Sequence, residues 1–117
     1  NRIKWCHGDL HSGNIFLAGK KIYIFDCIEF NERFAIQDVA SDVAFLAMDL
    51  EFHGKKKFAE LFVEKYLAET GDQDAAKLLI FYKCYRAFVR GKISSFQNKK
   101  SEARKYFGLA RNYAKNL

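Results

Sequence analysis

The rhythm of apolar and polar positions changes once along the chain, near residue 36. Before it, Ile15-Phe16-Leu17 and Ile22-Tyr23-Ile24-Phe25 are short runs of β-branched and aromatic residues joined through Ala18-Gly19-Lys20-Lys21. Two such runs around a Gly-containing turn predict a β-hairpin. Arg2-Ile3-Lys4-Trp5-Cys6 reads as a short strand or approach segment, and the small-residue stretch His7 to Asn14 as a loop. From about Ile36 the apolar positions recur every three or four residues. Val39, Val43, Leu46 and Leu50 predict a helix ending near His53-Gly54.

Three further helices follow by the same rule. One runs from Lys56 to Thr70, with Phe58, Leu61, Phe62 and Tyr66 on one face and Gly71 closing its C-terminus. The next begins after Asp72, a suitable N-cap, and carries Leu78, Tyr82, Tyr85, Val89 and Ile93. The last spans Ser101 to about Asn116 and is expected to bury Ala103, Tyr106 or Phe107, Ala110 and Tyr113. Pro is absent, so nothing breaks these helices. Phe45, Leu46, Phe58, Phe62, Phe81 and Phe88 are core candidates. The fold class is therefore α+β and mostly helical, a loop and hairpin over residues 1–31 followed by a helical part over 32–117, in one domain.

Composition narrows the function classes. Half of the 117 residues are hydrophobic, with 12 Phe and 6 Tyr, which excludes a disordered chain. Folding a chain of this size buries roughly 65% of its unfolded surface, enough for a core without staples. Cys6, Cys27 and Cys84 are odd in number and form no C-x-x-C pair, so they read as small buried residues in a reducing, cytoplasmic setting. No stretch is long and apolar enough to span a membrane, and the start is not an export signal. The only Met is Met48, and the chain opens directly into chemistry-bearing sequence, as expected of a piece of a larger protein. Charge divides the chain. Residues 1–53 hold 5 basic and 8 acidic side chains, net −3, and residues 54–117 hold 15 and 6, net +9.

The chemistry concentrates in His7-Gly8-Asp9-Leu10-His11-Ser12-Gly13-Asn14, which fits H-x-D-L-x-x-x-N, the pattern of kinase catalytic loops, with Gly8 where protein kinases carry Arg. Four fixed residue types at these offsets match by chance in about one of a few thousand chains of this length. Phosphoryl transfer needs a carboxylate beside the attacking hydroxyl and oxygen ligands for the metal on the phosphates. Asp9 suits the first task and Asn14 the second. Asp26, twelve residues after Asn14, ends the second hairpin run, which is read as a buried strand, and a magnesium ion would pair a carboxylate left there.

HGDLHSGN, the I-x-x-F-D strand and IQDVASDVAFLAMDLE together resemble the aminoglycoside phosphotransferase and choline kinase group of small-molecule kinases. The likeness is greatest to bacterial proteins in which such a domain precedes a P-loop ATP-binding domain. The resemblance implies the C-terminal lobe of a protein-kinase-like fold, with Asp9 as catalytic base, Asn14 and Asp26 as Mg2+ ligands, and His7 as a structural residue of the loop. It also implies that Asp42 hydrogen-bonds the loop from its helix. ATP or GTP would be the phosphoryl donor and a small-molecule hydroxyl the acceptor.

The sequence departs from that group in several places. Ser12 stands where Pro is commoner, and Cys27-Ile28-Glu29 follows Asp26 in place of Phe-Gly. Glu29 reads equally as an outer-shell metal or substrate residue and as a surface salt bridge; His11 is placed near phosphates or solvent. No Gly-rich phosphate loop, phosphate-pairing Lys strand or partner Glu helix is present, so the chain is expected to lack the nucleotide lobe and to be inactive alone.

Rival readings weigh less. Asp9 and Asn14 could simply cap turns. Cys6, His7 and His11 could suggest zinc, but the two Gly argue for a loop and no H-E-x-x-H helix exists. Lys83, Arg86 and Arg90 share a helix face that could bind nucleic acid, an anionic substrate or a neighbouring domain, in a non-catalytic scaffold derived from a kinase. Aromatics at helical spacing are more often a core stripe than a stacking platform, so nucleic acid is not the expected partner.

Overall fold

The computed structural model describes residues 2–117. Strand β1 (Ile3–Trp5) leads into the loop, which closes in a single 3-10 turn at Ser12–Asn14. Strands β2 (Ile15–Ala18) and β3 (Lys21–Ile24) form the expected antiparallel hairpin, with Ile15 opposite Ile24 and Ala18 opposite Lys21. Gly19 makes the turn at a φ of 61°, a left-handed angle that glycine tolerates.

Two small elements lie where the sequence reading had none. A one-turn helix, α1 (Glu32–Ala35), is capped by the Asn31 side chain, and strand β4 (Ile36–Asp38) pairs antiparallel with β1. The helix expected from about Ile36 thus begins three residues later. Helix α2 (Val39–Phe52) starts where the Asp38 carboxylate caps the Ala40 N–H at 2.9 Å. Pairing of β1 with β4 fastens the start of the loop to the start of α2.

Helix α3 (Lys56–Thr70) has the expected bounds, because Gly71 adopts the left-handed C-terminal angle at φ 67°. Helix α4 (Gln73–Phe96) is capped by Asp72, and α5 (Lys100–Ala114) begins one residue before the expected start. With α1 the described residues hold five helices rather than four.

The core corrects the expected one. One cluster joins Phe45, Met48 and Phe52 of α2 to Ala87 of α4 and Tyr106, Ala110 and Tyr113 of α5; the second joins Ala40, Val43 and Ala44 to Ala75 and Leu79, flanked by Phe62 and Tyr66. The Phe52 and Tyr106 rings stack at 3.8 Å. Phe58, Phe81 and Phe88 are instead exposed, as are Leu61, Tyr85 and Ile93. Helix α4 turns its small residues, Ala75, Ala87, Gly91 and Ser94, inward so that neighbouring helices approach closely. A Cβ on Gly91 would lie 2.6 Å from the Phe107 ring. The hairpin was expected to include a buried strand, yet every residue of β3 is exposed. Cys6 is buried and Cys84 half-buried, but Cys27 is exposed. No described helix is long and apolar enough to cross a membrane.

Candidate active site

The loop is held from behind by two carboxylates of α2. Asp42 accepts the His7 N–H at 2.8 Å and the Gly8 N–H at 3.0 Å, and Asp49 accepts the Ser12 N–H at 2.8 Å. Asp42 and Asp49 are seven residues, about two helical turns, apart, so they share one face of α2 and reach the two ends of the loop. Both side chains are buried, Asp49 to 2% exposure. A buried carboxylate must find donors, and loop N–H groups outside regular structure need acceptors. Each solves the other's problem.

Arg86 completes this support. Its guanidinium donates to Gln37 Oε1 (2.9 Å), Ser41 Oγ (3.2 Å) and the Gly8 carbonyl (3.3 Å), lies 4.0 Å from Asp42, and covers the Phe45 ring at 4.6 Å. Burial lowers the Arg86 pKa, and the Asp42 charge opposes that effect. The expected basic face of α4 is therefore not open. Arg86 points inward, Lys83 pairs with Glu51 at 2.5 Å, and the Arg90 guanidinium lies 5.6 Å from the centre of the Tyr106 ring.

In front of this support the functional candidates meet. Asn14, buried, donates from Nδ2 to the Asp9 carbonyl (2.9 Å) and to Asp9 Oδ2 (3.1 Å). His11 Nε2 lies 3.5 Å from the same Oδ2, while His11 Nδ1 accepts the Gly13 N–H at 3.1 Å, which leaves the ring proton on Nε2 toward Asp9. Half-burial pushes the Asp9 carboxyl up, but His11, Asn14 and the Arg90 charge outweigh it, so its pKa is lowered overall. Asp9 Oδ1 has no partner among the described residues.

His7 ties the loop to the hairpin. Its Nδ1 accepts the Asp9 N–H at 3.1 Å, which puts the ring proton on Nε2, facing the Phe25 carbonyl. The His7 carbonyl accepts the Ile28 N–H at 2.9 Å, and the Asn14 carbonyl accepts the Phe25 N–H, also at 2.9 Å. Asp26 thus follows directly on the residue paired with Asn14. It is exposed, at φ 53°, and without a partner among the described residues. Gly8, at φ 87°, is required here, since a Cβ would meet the Ile28 side chain at 2.9 Å.

Glu29 is also exposed, with the Cys27 thiol 3.9 Å from its Oε1 and no salt bridge among the described residues. Cys6 lies with its thiol against the Lys4 and Gln37 carbonyls, away from a shared site with His7 and His11. No three His, Cys, Asp or Glu side chains among the described residues gather to hold a metal by themselves. The donors that are present suit magnesium. Asn14, with Nδ2 committed to Asp9, keeps its amide oxygen for another partner, and Asp26 adds an open carboxylate. Both are hard oxygen donors, of the kind that would hold Mg2+ with phosphates and waters completing its shell. Sequence reasoning missed Asp49 and the inward role of Arg86. The two-turn spacing of Asp42 and Asp49 in a mostly apolar helix was the available signal for the first.

The domain is α+β and fixes a carboxylate and an amide side by side on a loop backed by a helix. The chain belongs to the phosphotransferase enzyme family, which residues 2–79 match. Over 99 residues, 83% of the chain, it is 41% identical to the uncharacterized protein Rv2004c of Mycobacterium tuberculosis H37Rv, and equally to the uncharacterized protein Mb2027c of Mycobacterium bovis. The chain spans about a fifth of the length of these relatives. No solved structure matches it.

Proposed function

We propose that the chain supplies the catalytic loop and metal ligands of a kinase-type phosphotransferase, in which the γ-phosphoryl of ATP or GTP passes to a small-molecule hydroxyl. The observation that carries this reading is the Asp9 carboxylate. Oδ2 is occupied by Asn14 and faces His11, whereas Oδ1 is open to accept a hydrogen bond from an incoming hydroxyl. The lowered pKa keeps Asp9 ionised at neutral pH, so it orients the hydroxyl and takes its proton as the new P–O bond forms. Asn14 and Asp26 would hold Mg2+, which, when bound, neutralises charge on the phosphates. Asp42, Asp49 and Arg86 act through the loop backbone, holding Asp9 in place before substrate arrives. A further lobe of the intact protein would cover the nucleotide.

In the intact protein, Asp9→Asn is expected to leave ATP affinity unchanged and to cut phosphoryl transfer by roughly 10²–10⁴-fold, the usual contribution of a positioned general base. ADP formation at the wild-type rate in that variant would remove Asp9 from the mechanism.

A further inference from the structure

One cation beside the loop has no task in the site described so far. Arg90 follows Arg86 by four residues, so the two lie on one face of α4, about 6 Å apart along its axis. Arg86 donates to the Gly8 carbonyl, and Arg90 lies close enough to the next loop residue, Asp9, for its charge to act on that carboxylate. The two arginines differ in every other respect. Arg86 is spent on Gly8, Ser41, Gln37 and Asp42. Arg90 has no ion pair among the described residues, and its Nε is buried without a hydrogen-bond partner. Its guanidinium packs against Tyr106, a ring exposed to only 1%.

A guanidinium withdrawn from water is costly unless an anion meets it. The acids near it are already committed. Asp49 gives Oδ2 to the Ser12 N–H and turns Oδ1 toward His53 at 3.5 Å. Glu102 accepts the Ser94 hydroxyl at 2.7 Å, and Glu51 is taken by Lys83 and Tyr113. Asp9 has Asn14 and His11 at Oδ2 and stands beyond ion-pair distance from Arg90. Arg90 is therefore a half-buried cation without an anion of its own, close to the carboxylate on which the proposed chemistry turns.

Resting on the phosphotransferase reading above, we infer that Arg90 is a further catalytic residue, whose guanidinium holds the phosphoryl group while it passes from nucleotide to acceptor. In that step the acceptor oxygen bonds to the γ-phosphorus as the bond from phosphorus to the bridging oxygen breaks. ADP leaves with that electron pair, and Asp9 takes the acceptor proton. The phosphoryl oxygens carry negative charge throughout, next to the negative Asp9. They need a cation on that side, and Arg90 offers one as a planar fork of N–H donors. The rival is an arginine that merely packs on Tyr106.

The two are separated in the intact protein, with Mg2+ present, by affinity for ADP alone and for ADP with aluminium fluoride, which mimics the phosphoryl group in transfer. Wild type is expected to bind ADP more tightly when aluminium fluoride is added. Arg90→Gln should keep the affinity for ADP alone within twofold and lose that gain. It should also slow single-turnover ADP formation from ATP about 10²-fold or more, the scale of a lost preorganised donor. Arg90→Lys keeps the charge without the fork and should fall between. Thermal midpoints check folding. If Arg90→Gln does not fold, Arg90→Lys decides: part of the gain lost at unchanged ADP affinity supports the inference, and the full gain overturns it. A wild-type gain and rate in Arg90→Gln, or equal weakening of ADP with and without aluminium fluoride, would also overturn it. If the wild-type protein itself shows no gain and forms no ADP, it is the phosphotransferase reading that fails.

Discussion

The two sides of the site are built on opposite terms. The loop side is anchored in the core: Asp42 and Asp49 are buried, both oxygens of Asp42 and Oδ2 of Asp49 accept loop N–H groups, and Arg86 is packed against both the loop and Phe45. The hairpin side is open, with β3 exposed along its length and Asp26 in a left-handed conformation without a protein partner among the described residues. The contrast separates two demands on an active site. On the proposed function, Asp9 would guide a proton and so needs to be held in advance, which the helix carboxylates do through the loop. Asp26 would bind a metal arriving with its nucleotide and is best left unpaired, because a protein partner would have to be displaced.

The most severe test of this contrast is Asp42→Ala. It removes the acceptor of two loop N–H groups and leaves the Arg86 charge half-buried without its carboxylate, so a loss of about 3–5 kcal/mol in urea unfolding is expected. Asp49→Ala, which strips the Ser12 N–H of a charged acceptor, is expected to cost about 1.5–3 kcal/mol in the same measurement. Asp26→Ala on the open side loses no protein contact and gives up only the tolerance of Asp for its left-handed angle, so it should cost about 1 kcal/mol or less. If Asp26→Ala destabilised the protein as much as Asp42→Ala, the two sides would not differ in the way described.

The smallest expected effect lies in pH dependence. Asp9 has a folded pKa below its ordinary value, so its contribution to stability and its readiness to accept a proton are present above the unfolded carboxylate range. Both are lost as pH falls through the lowered folded value. His11→Ala removes one of the groups that lower it. The acid limb of the pH–rate profile of the intact protein should then move to higher pH, and an unmoved limb would show that His11 does not govern Asp9.

Much of this was legible in the sequence where local rules decide. Gly71 and Asp72 mark the end of α3 and the start of α4, and the hairpin follows from two apolar runs around Gly19. The offsets from His7 to Asn14 foretell that Asp9 and Asn14 meet, as they do at 3.1 Å. What was not legible depends on distant partners. Strand β4 is three residues long and exists because β1, more than thirty residues earlier, pairs with it. The aromatic stripe of α4 looked like core, but α4 packs through Ala87, Gly91 and Ser94, whose small size permits close approach and whose periodicity a hydrophobicity count underweights. Arg86 reads in the sequence as part of an outward basic face with Lys83 and Arg90, whereas the fold places it under Gly8. Asp49 escaped because an acid in a helix usually faces solvent, and only its two-turn spacing from Asp42 set it apart.

The division of labour between Asp9 and Asp26 is tested most directly by single-turnover phosphoryl transfer in the intact protein, with ATP affinity measured at several Mg2+ concentrations. Asp9→Asn is expected to keep wild-type, magnesium-dependent ATP affinity with transfer slowed by roughly 10²–10⁴-fold. In Asp26→Ala the magnesium dependence of ATP binding is expected to disappear. Transfer at the wild-type rate by Asp9→Asn, or magnesium-dependent binding that survives Asp26→Ala, would contradict it.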